Sequence, residues 1–258
     1  MKTLILYRTL FKQTIIGLRR YMFDTLTGTI TLFMFFLALF YGAKALGAGA
    51  PRFGNALEGL VVGYAVWALA IFTYSSMSEE LVREAQQGTL EQLAMSPLGL
   101  RRVLMGKVLS GLVWQFVMIT AITTLMMASS GKWLHIDALS IFPLALLTMA
   151  PIVGLGFIMG GLAVVFKKVE SALQILHMGF IACIAVPLSV VPALKFAPLA
   201  WGSRLLGKVM IDGESLLSLP AADVWFLVMH ATAYLVSGLV IFKYFERIAR
   251  SRGLLGHY

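Results

Sequence analysis

Six apolar runs, most of them about as long as the roughly 20 residues that a helix needs to cross a bilayer, limit what this chain can fold into. They fall at Leu26–Gly42, Leu57–Met77, Val103–Ala128, Leu139–Phe166, Ser171–Val191 and Asp223–Tyr244. Hydrocarbon offers the backbone no hydrogen bonds, and a helix makes its own, so each run is expected as a spanning helix. The composition agrees. Of the 258 residues, 59% are hydrophobic and 13% charged, against about 45–50% and about 25% in a soluble domain. A soluble core of this size could not hide so much apolar surface. The expected fold is an all-α integral membrane protein forming a single transmembrane domain over residues 1–258. The fourth run holds Pro143 and Pro151, where a kink or short break is expected because proline lacks a backbone donor.

The charges say how such a bundle would sit. Ahead of the first run, Leu4, Tyr7, Phe11, Ile15 and Leu18 recur at three- and four-residue steps, with Arg8, Lys12 and Arg19 off that face. Residues 1–20 therefore read as an amphipathic helix lying in the membrane interface. A secretory signal ending near Ala43-Lys44-Ala45 is the competing reading, disfavoured by the length of this basic stretch. If the N-terminus is inside, only Lys44, Arg52, Lys132, Lys195, Arg204 and Lys208 of the 21 Lys and Arg fall outside. Both termini are accordingly expected in the cytoplasm. The net charge of +9 is spread over ends and turns, without the basic stripe that a nucleic-acid binder needs. Membrane lipid is an expected partner and nucleic acid is not. The one cysteine, Cys183, sits in an apolar run as a small hydrophobe.

Two connections stand out. The fifth, residues 192–222, carries Pro192, Pro198, an amphipathic run Trp201–Met210 and a polar turn at Asp212-Gly213-Glu214. It is too short and mixed to span, and suits one or two half-helices dipping in from the outer face. The other is the cytoplasmic segment Glu79–Arg102, which holds Glu79, Glu80, Glu84 and Glu91, four of the twelve acidic residues. Gly88 is placed to end a first helix there, Thr89 to cap a second through Leu93, and Ser96-Pro97 to stop it. By composition alone this is a solvated polar connector.

The pattern Glu84-x3-Gly88-Thr89-x-Glu91-x4-Ser96-Pro97, followed by Gly106-Lys107, resembles the cytoplasmic loop of permease subunits of type-2 ATP-binding-cassette (ABC) exporters. The order of an interfacial helix, six spans, this loop and a late dipping segment is similar to theirs. So is Ala197–Leu206, where Pro198 and Arg204 bracket a short helix. The resemblance implies a coupling helix made by Arg83, Glu84, Gly88, Thr89, Glu91, Leu93, Ser96 and Pro97, seated on a separate ATP-binding subunit. Two such subunits, and a second copy or a paralogue of this chain, are the implied partners. The resemblance also implies an exit path between the two permeases, lined by the second and fifth spans. Tyr64, Trp67, Phe72, Tyr74, Gln174, His177 and Met178 are the side chains available there. That mixture suits a drug-like compound, peptide or lipid. An ion pair from Glu84 to Arg19 or Arg20 is expected at the inner surface.

No chemistry of the chain's own is legible. Gly202-x4-Gly207-Lys208 imitates a phosphate-binding loop, but Val209 stands where a Ser or Thr would hold magnesium, and no strand precedes it. No cofactor is expected on this chain, with ATP and magnesium held by the partner subunit. His135, His177, His230 and His257 lack ligand spacing. Among them His177 lies inside a run, with Ser171 and Gln174 at helical steps, and polar groups at that depth face a bundle interior or a wet cavity. Gly59-x3-Gly63 and Gly156-x3-Gly160 permit close helix contact. An integral-membrane enzyme would need a base beside the carboxylates of 79–91, and a passive channel a ring of charge or a filter; neither is present in the sequence.

Overall fold

The computed structural model describes residues 2–20, 22–46, 53–86, 100–166, 169–186, 188 and 190–251. Helices make up nearly all of these, and no strand occurs among the described residues. In chain order they are α1 (Lys2–Arg20), α2 (Met22–Leu46), α3 (Phe53–Gln86), α4 (Leu100–Ser130), α5 (Ala138–Phe166), α6 (Glu170–Ala185), a 3-10 turn (Pro192–Phe196), α7 (Ala200–Met210) and α8 (Ala221–Ser251). Five contain segments long and apolar enough to cross a membrane: Thr25–Ala45, Leu57–Ser75, Arg102–Ser130, Ala138–Phe166 and Ala221–Ala249. This is an all-helical membrane protein.

The fifth run departs from expectation. Helix stops at Ala185 rather than Val191, leaving 16 residues, or about 24 Å at 1.5 Å per residue. That falls short of the roughly 30 Å hydrocarbon core. The cause is written in the chain: Pro187 follows Val186, and the residue before a proline is pushed out of the helical region. Val186 accordingly lies at φ −84°, ψ 119°. The fourth run shows no break. α5 passes through Pro143 and Pro151 as one helix of 29 residues, with no break at either. Its neighbours α3 and α8 pack along it, and such packing is what lets a membrane helix tolerate proline.

The core is built on α5. Its most extensive partner is α8, followed by α3. Glycine makes the α5–α8 crossing close. A Cβ on Gly154 would meet the Tyr234 carbonyl, and one on Gly238 would meet the backbone of Gly154. Phe157 and Phe242 then pack edge to face, 5.5 Å between centroids. Of the two glycine pairs singled out in the sequence, Gly156 and Gly160 are buried in α5. Gly63 admits Ile184 of α6, whose Cγ2 lies 2.9 Å from where a Cβ would stand, while Gly59 faces open space. At the margin of the bundle, α1 buries Leu10 and leaves Phe11, Ile15 and Ile16 exposed; its contacts are chiefly with α4. α2 buries Phe36 and Phe40 against the bundle and leaves Ile30, Met34 and Leu39 outward.

One end of the bundle is capped by irregular chain. Asp137 caps α5: its carboxylate accepts from the Leu139 amide at 3.1 Å and from the Ser140 hydroxyl. That hydroxyl in turn accepts from the Leu216 amide at 2.8 Å, tying the loop after α7 to the start of α5. The two ends of α7 are held at this same end of the molecule. The Trp201 indole donates to the Asp223 carbonyl at 3.1 Å, and the Met210 carbonyl accepts from the His135 amide at 2.8 Å. The 3-10 turn reaches deeper. The Phe196 carbonyl accepts from the Tyr234 hydroxyl and lies 3.0 Å from His230 Nε2. Those residues are about 13–20 Å along α8 from its start. Irregular backbone at that depth needs such partners. Short helices were expected over 192–222, and they are present.

Candidate functional site

Thr73, Tyr74 and Ser75 follow one another on α3, at the end of its apolar part. Successive helical residues point about 100° apart at 3.6 residues per turn, so three in a row address different neighbours. Thr73 turns to α4: its hydroxyl lies 2.8 Å from the Leu69 carbonyl and 2.9 Å from the Gln115 carboxamide oxygen. The same carboxamide donates to the Phe72 carbonyl at 3.2 Å. Tyr74 and Ser75 turn to α6. The Tyr74 ring meets His177 and Phe180 edge-on, at centroid distances of 5.4 and 5.5 Å. Ser75 Oγ lies 3.4 Å from His177 Nε2. Tyr74 is fully buried, and its hydroxyl has no hydrogen-bond partner among the described residues.

Of the side chains expected along a path, this geometry joins Tyr74 and His177. Phe72 is half-buried on the same stretch of α3. Tyr64 and Trp67 form a separate aromatic group with α2: both rings pack on Phe35, and the Tyr64 hydroxyl donates to the Leu32 carbonyl at 2.6 Å. Tyr64 is committed to holding α2. Gln174 and Met178 face away from the bundle on α6, where Met178 is 71% exposed and Ile175 72%. The Thr73–Gln115 contact and Ser75 were not singled out in the sequence, although Gln115 is the one carboxamide within the third run. Bonds of this kind between membrane helices are worth about 0.6 kcal/mol on average. Thr73 retains Leu69 when Gln115 is removed. Gln115→Leu is therefore expected to lower stability by less than about 1 kcal/mol, read from the midpoint of denaturant unfolding in micelles.

The coupling residues lie elsewhere. Gly88, Thr89, Glu91, Leu93, Ser96 and Pro97 are outside the described residues, and so are the side chains of Arg83, Glu84 and Arg19. The backbone at Arg83 and Glu84 is helical and continuous with α3. Arg20 ends α1, its side chain exposed. At the opposite connection, the phosphate-loop imitation is an ordinary part of α7. Its Gly202 is pressed onto the Thr148 side chain of α5, and Lys208 Nζ sits 3.9 Å from Asp223. A helical backbone has spent the amides that would cradle phosphate. The helix also runs past Arg204 to Met210, so Arg204 lies within it and does not close it.

A cavity of about 100 Å³ lies between α3, α4, α5 and α7, walled by Val62, Leu69, Ile119, Thr123, Met149 and Leu206. None of the expected path residues lines it. No group of three metal-ligating side chains occurs among the described residues. No protein-family model matches the chain, and no curated protein gives a significant match.

Proposed function

We propose that this chain is the permease subunit of an ATP-driven exporter of the type-2 ABC kind. It works as a pair of permeases, two copies or a copy with a paralogue, on two ATP-binding subunits that carry the nucleotide and magnesium. It sits in the cytoplasmic membrane with both termini inside, and moves an amphipathic or apolar cargo outward. The observation that carries this reading is the continuity of α3. It is one helix of 34 residues, about 51 Å long, whose apolar run ends at Met77, just ahead of Glu79 and Glu80. The remainder to Gln86 extends about 13 Å further and bears Glu79, Glu80, Arg83 and Glu84. A push on that extension moves Tyr74 and Ser75 against His177 without a joint between.

The outer face of α6 supports the pairing. Ser171, Gln174, Ile175, Met178, Ala182 and Ala185 are all exposed and fall on one helical stripe. An amide turned toward hydrocarbon without a partner costs roughly 2–7 kcal/mol. The same stripe on a second permease offers Gln174 such a partner beside small residues that permit close approach. The central test is isolation of the full chain from its native membranes in mild detergent. Magnesium-dependent ATPase activity is expected to co-purify with it, on a separate polypeptide. A chain that emerges alone, with no hydrolase in any detergent tried, overturns the proposal. For the pairing, Gln174→Cys in a Cys183→Ser background is expected to give an oxidant-linked dimer. Met34→Cys on the lipid side of α2 serves as the comparison and is expected to stay monomeric.

A further inference from the structure

A groove of about 520 Å³ opens where α6 ends early, a volume within the roughly 300–1,000 Å³ of small-molecule sites. One wall is Ile184, Val186 and Leu188; the other is Ala200, Ser203 and Arg204 of α7. The first wall is apolar, and the second ends in a cation. The Arg204 guanidinium lies 4.9 Å above the Trp201 ring, and no carboxylate pairs with it among the described residues. Two other cations at this end are matched, Lys208 with Asp223 at 3.9 Å and Lys132 with Glu58 at 3.1 Å, while Lys195 lies 4.9 Å over the Phe196 ring. The chain cannot match Arg204 locally, because no acidic residue occurs between Glu170 and Asp212.

α6 spans about 24 Å and gives way to extended backbone at Val186, while the neighbouring 3-10 turn reaches Tyr234 of α8. The groove opens at the end of α6, apolar along one side and positively charged at its rim. We propose that it is a binding site for an anionic phospholipid. The phosphate pairs with Arg204 and the Ser203 hydroxyl, and an acyl chain runs along Ile184 and Leu188. Arginine suits phosphate because its planar fork donates two parallel hydrogen bonds, and Trp201 holds that fork in place from below. This site goes beyond the transport proposal and does not depend on the cargo.

Native mass spectrometry of the full chain, titrated in micelles with phosphatidylglycerol or phosphatidylcholine, tests it. Wild type is expected to retain at least one phosphatidylglycerol with about tenfold preference over phosphatidylcholine. Arg204→Gln is expected to lose that preference, and Arg204→Lys to keep part of it, because charge survives but the fork does not. Lys132→Gln, a cation already matched by Glu58, is expected to behave as wild type. Equal retention of the two lipids by wild type overturns the proposal. So does an unchanged preference in Arg204→Gln, or a loss as large in Lys132→Gln, which marks diffuse surface charge. Inorganic phosphate is expected not to displace the lipid at millimolar concentration; displacement shows a site for a soluble anion.

Discussion

Gly154→Leu and Gly238→Leu are each expected to deprive the protein of its folded state in detergent, or to bring its melting point down steeply. A Cβ at Gly154 falls on the carbonyl of Tyr234, and one at Gly238 falls on the backbone of Gly154. In both cases the obstacle is helical backbone, with no rotamer to turn aside. α5 and α8 must move apart, and their contact is the most extensive among the described helices. Overpacking that side chains can absorb costs about 1–3 kcal/mol; this crossing belongs at or above the top of that range. For a chain of this size, about 3 kcal/mol lowers Tm by roughly 6–12 °C. Gly59→Ala is the control, since nothing lies within 4 Å of its added carbon, and it is expected to melt as wild type does. Fluorescence-detected gel filtration and thermal melting of the three variants read the outcome. A Gly154→Leu protein that elutes and melts like wild type would remove the close crossing on which the core is built.

That crossing shows where a sequence speaks and where it is silent. Apolar length alone located α2, α3, α4, α5 and α8, because hydrocarbon forces any such run into a helix. It did not locate the glycines that matter. Gly156 and Gly160 have the familiar spacing within one helix, whereas Gly154 and Gly238 work as a pair across two helices that only the fold brings together. The error at α6 was of another kind. Apolar length runs on to Val191, whereas Pro187 restricts Val186 and ends the helix at Ala185. Pro143 and Pro151 are the converse, where tertiary packing carried a helix through prolines. At the candidate site, His177 was legible as a polar residue at depth, whereas Tyr74 was only one of several side chains that the resemblance placed along a path. Gln174 lies three residues from His177 and Met178 one, yet both point away from the bundle. A period of 3.6 residues fixes which residues share a stripe and leaves the rotation of that stripe to packing. Tyr64 shows the same limit, since its hydroxyl goes to α2.

The largest functional effects are expected in the segment Glu79–Arg102. Glu84→Ala and Glu91→Ala each remove a carboxylate from a polar segment and leave no core cavity. Their cost to folding is expected to stay within about 0.5 kcal/mol, so the permease should reach the membrane in normal amount. A solvated connector would register nothing more. A coupling helix loses a charged contact with its ATPase, and hydrogen bonds to charged groups are worth about 1.5–3 kcal/mol. Transport and cargo-stimulated ATPase activity are then expected to fall together by roughly tenfold or more, with basal hydrolysis retained. Glu84 is the sharper probe, because it lies on the helix that also carries Tyr74 and Ser75. A contact weakened there slackens the same rigid element that reaches His177. Gly88→Val is expected to exceed both. A glycine that ends a helix commonly does so in the left-handed conformation, where a β-branched side chain is strained. The measurement is ATP hydrolysis with and without cargo, alongside cargo flux, in proteoliposomes holding the assembled complex. Loss of flux with hydrolysis still stimulated would move these residues from coupling to the path itself. Three variants that match wild type in flux and stimulation would make the segment a plain connector, and the exporter proposal would lose the residues on which its resemblance rests.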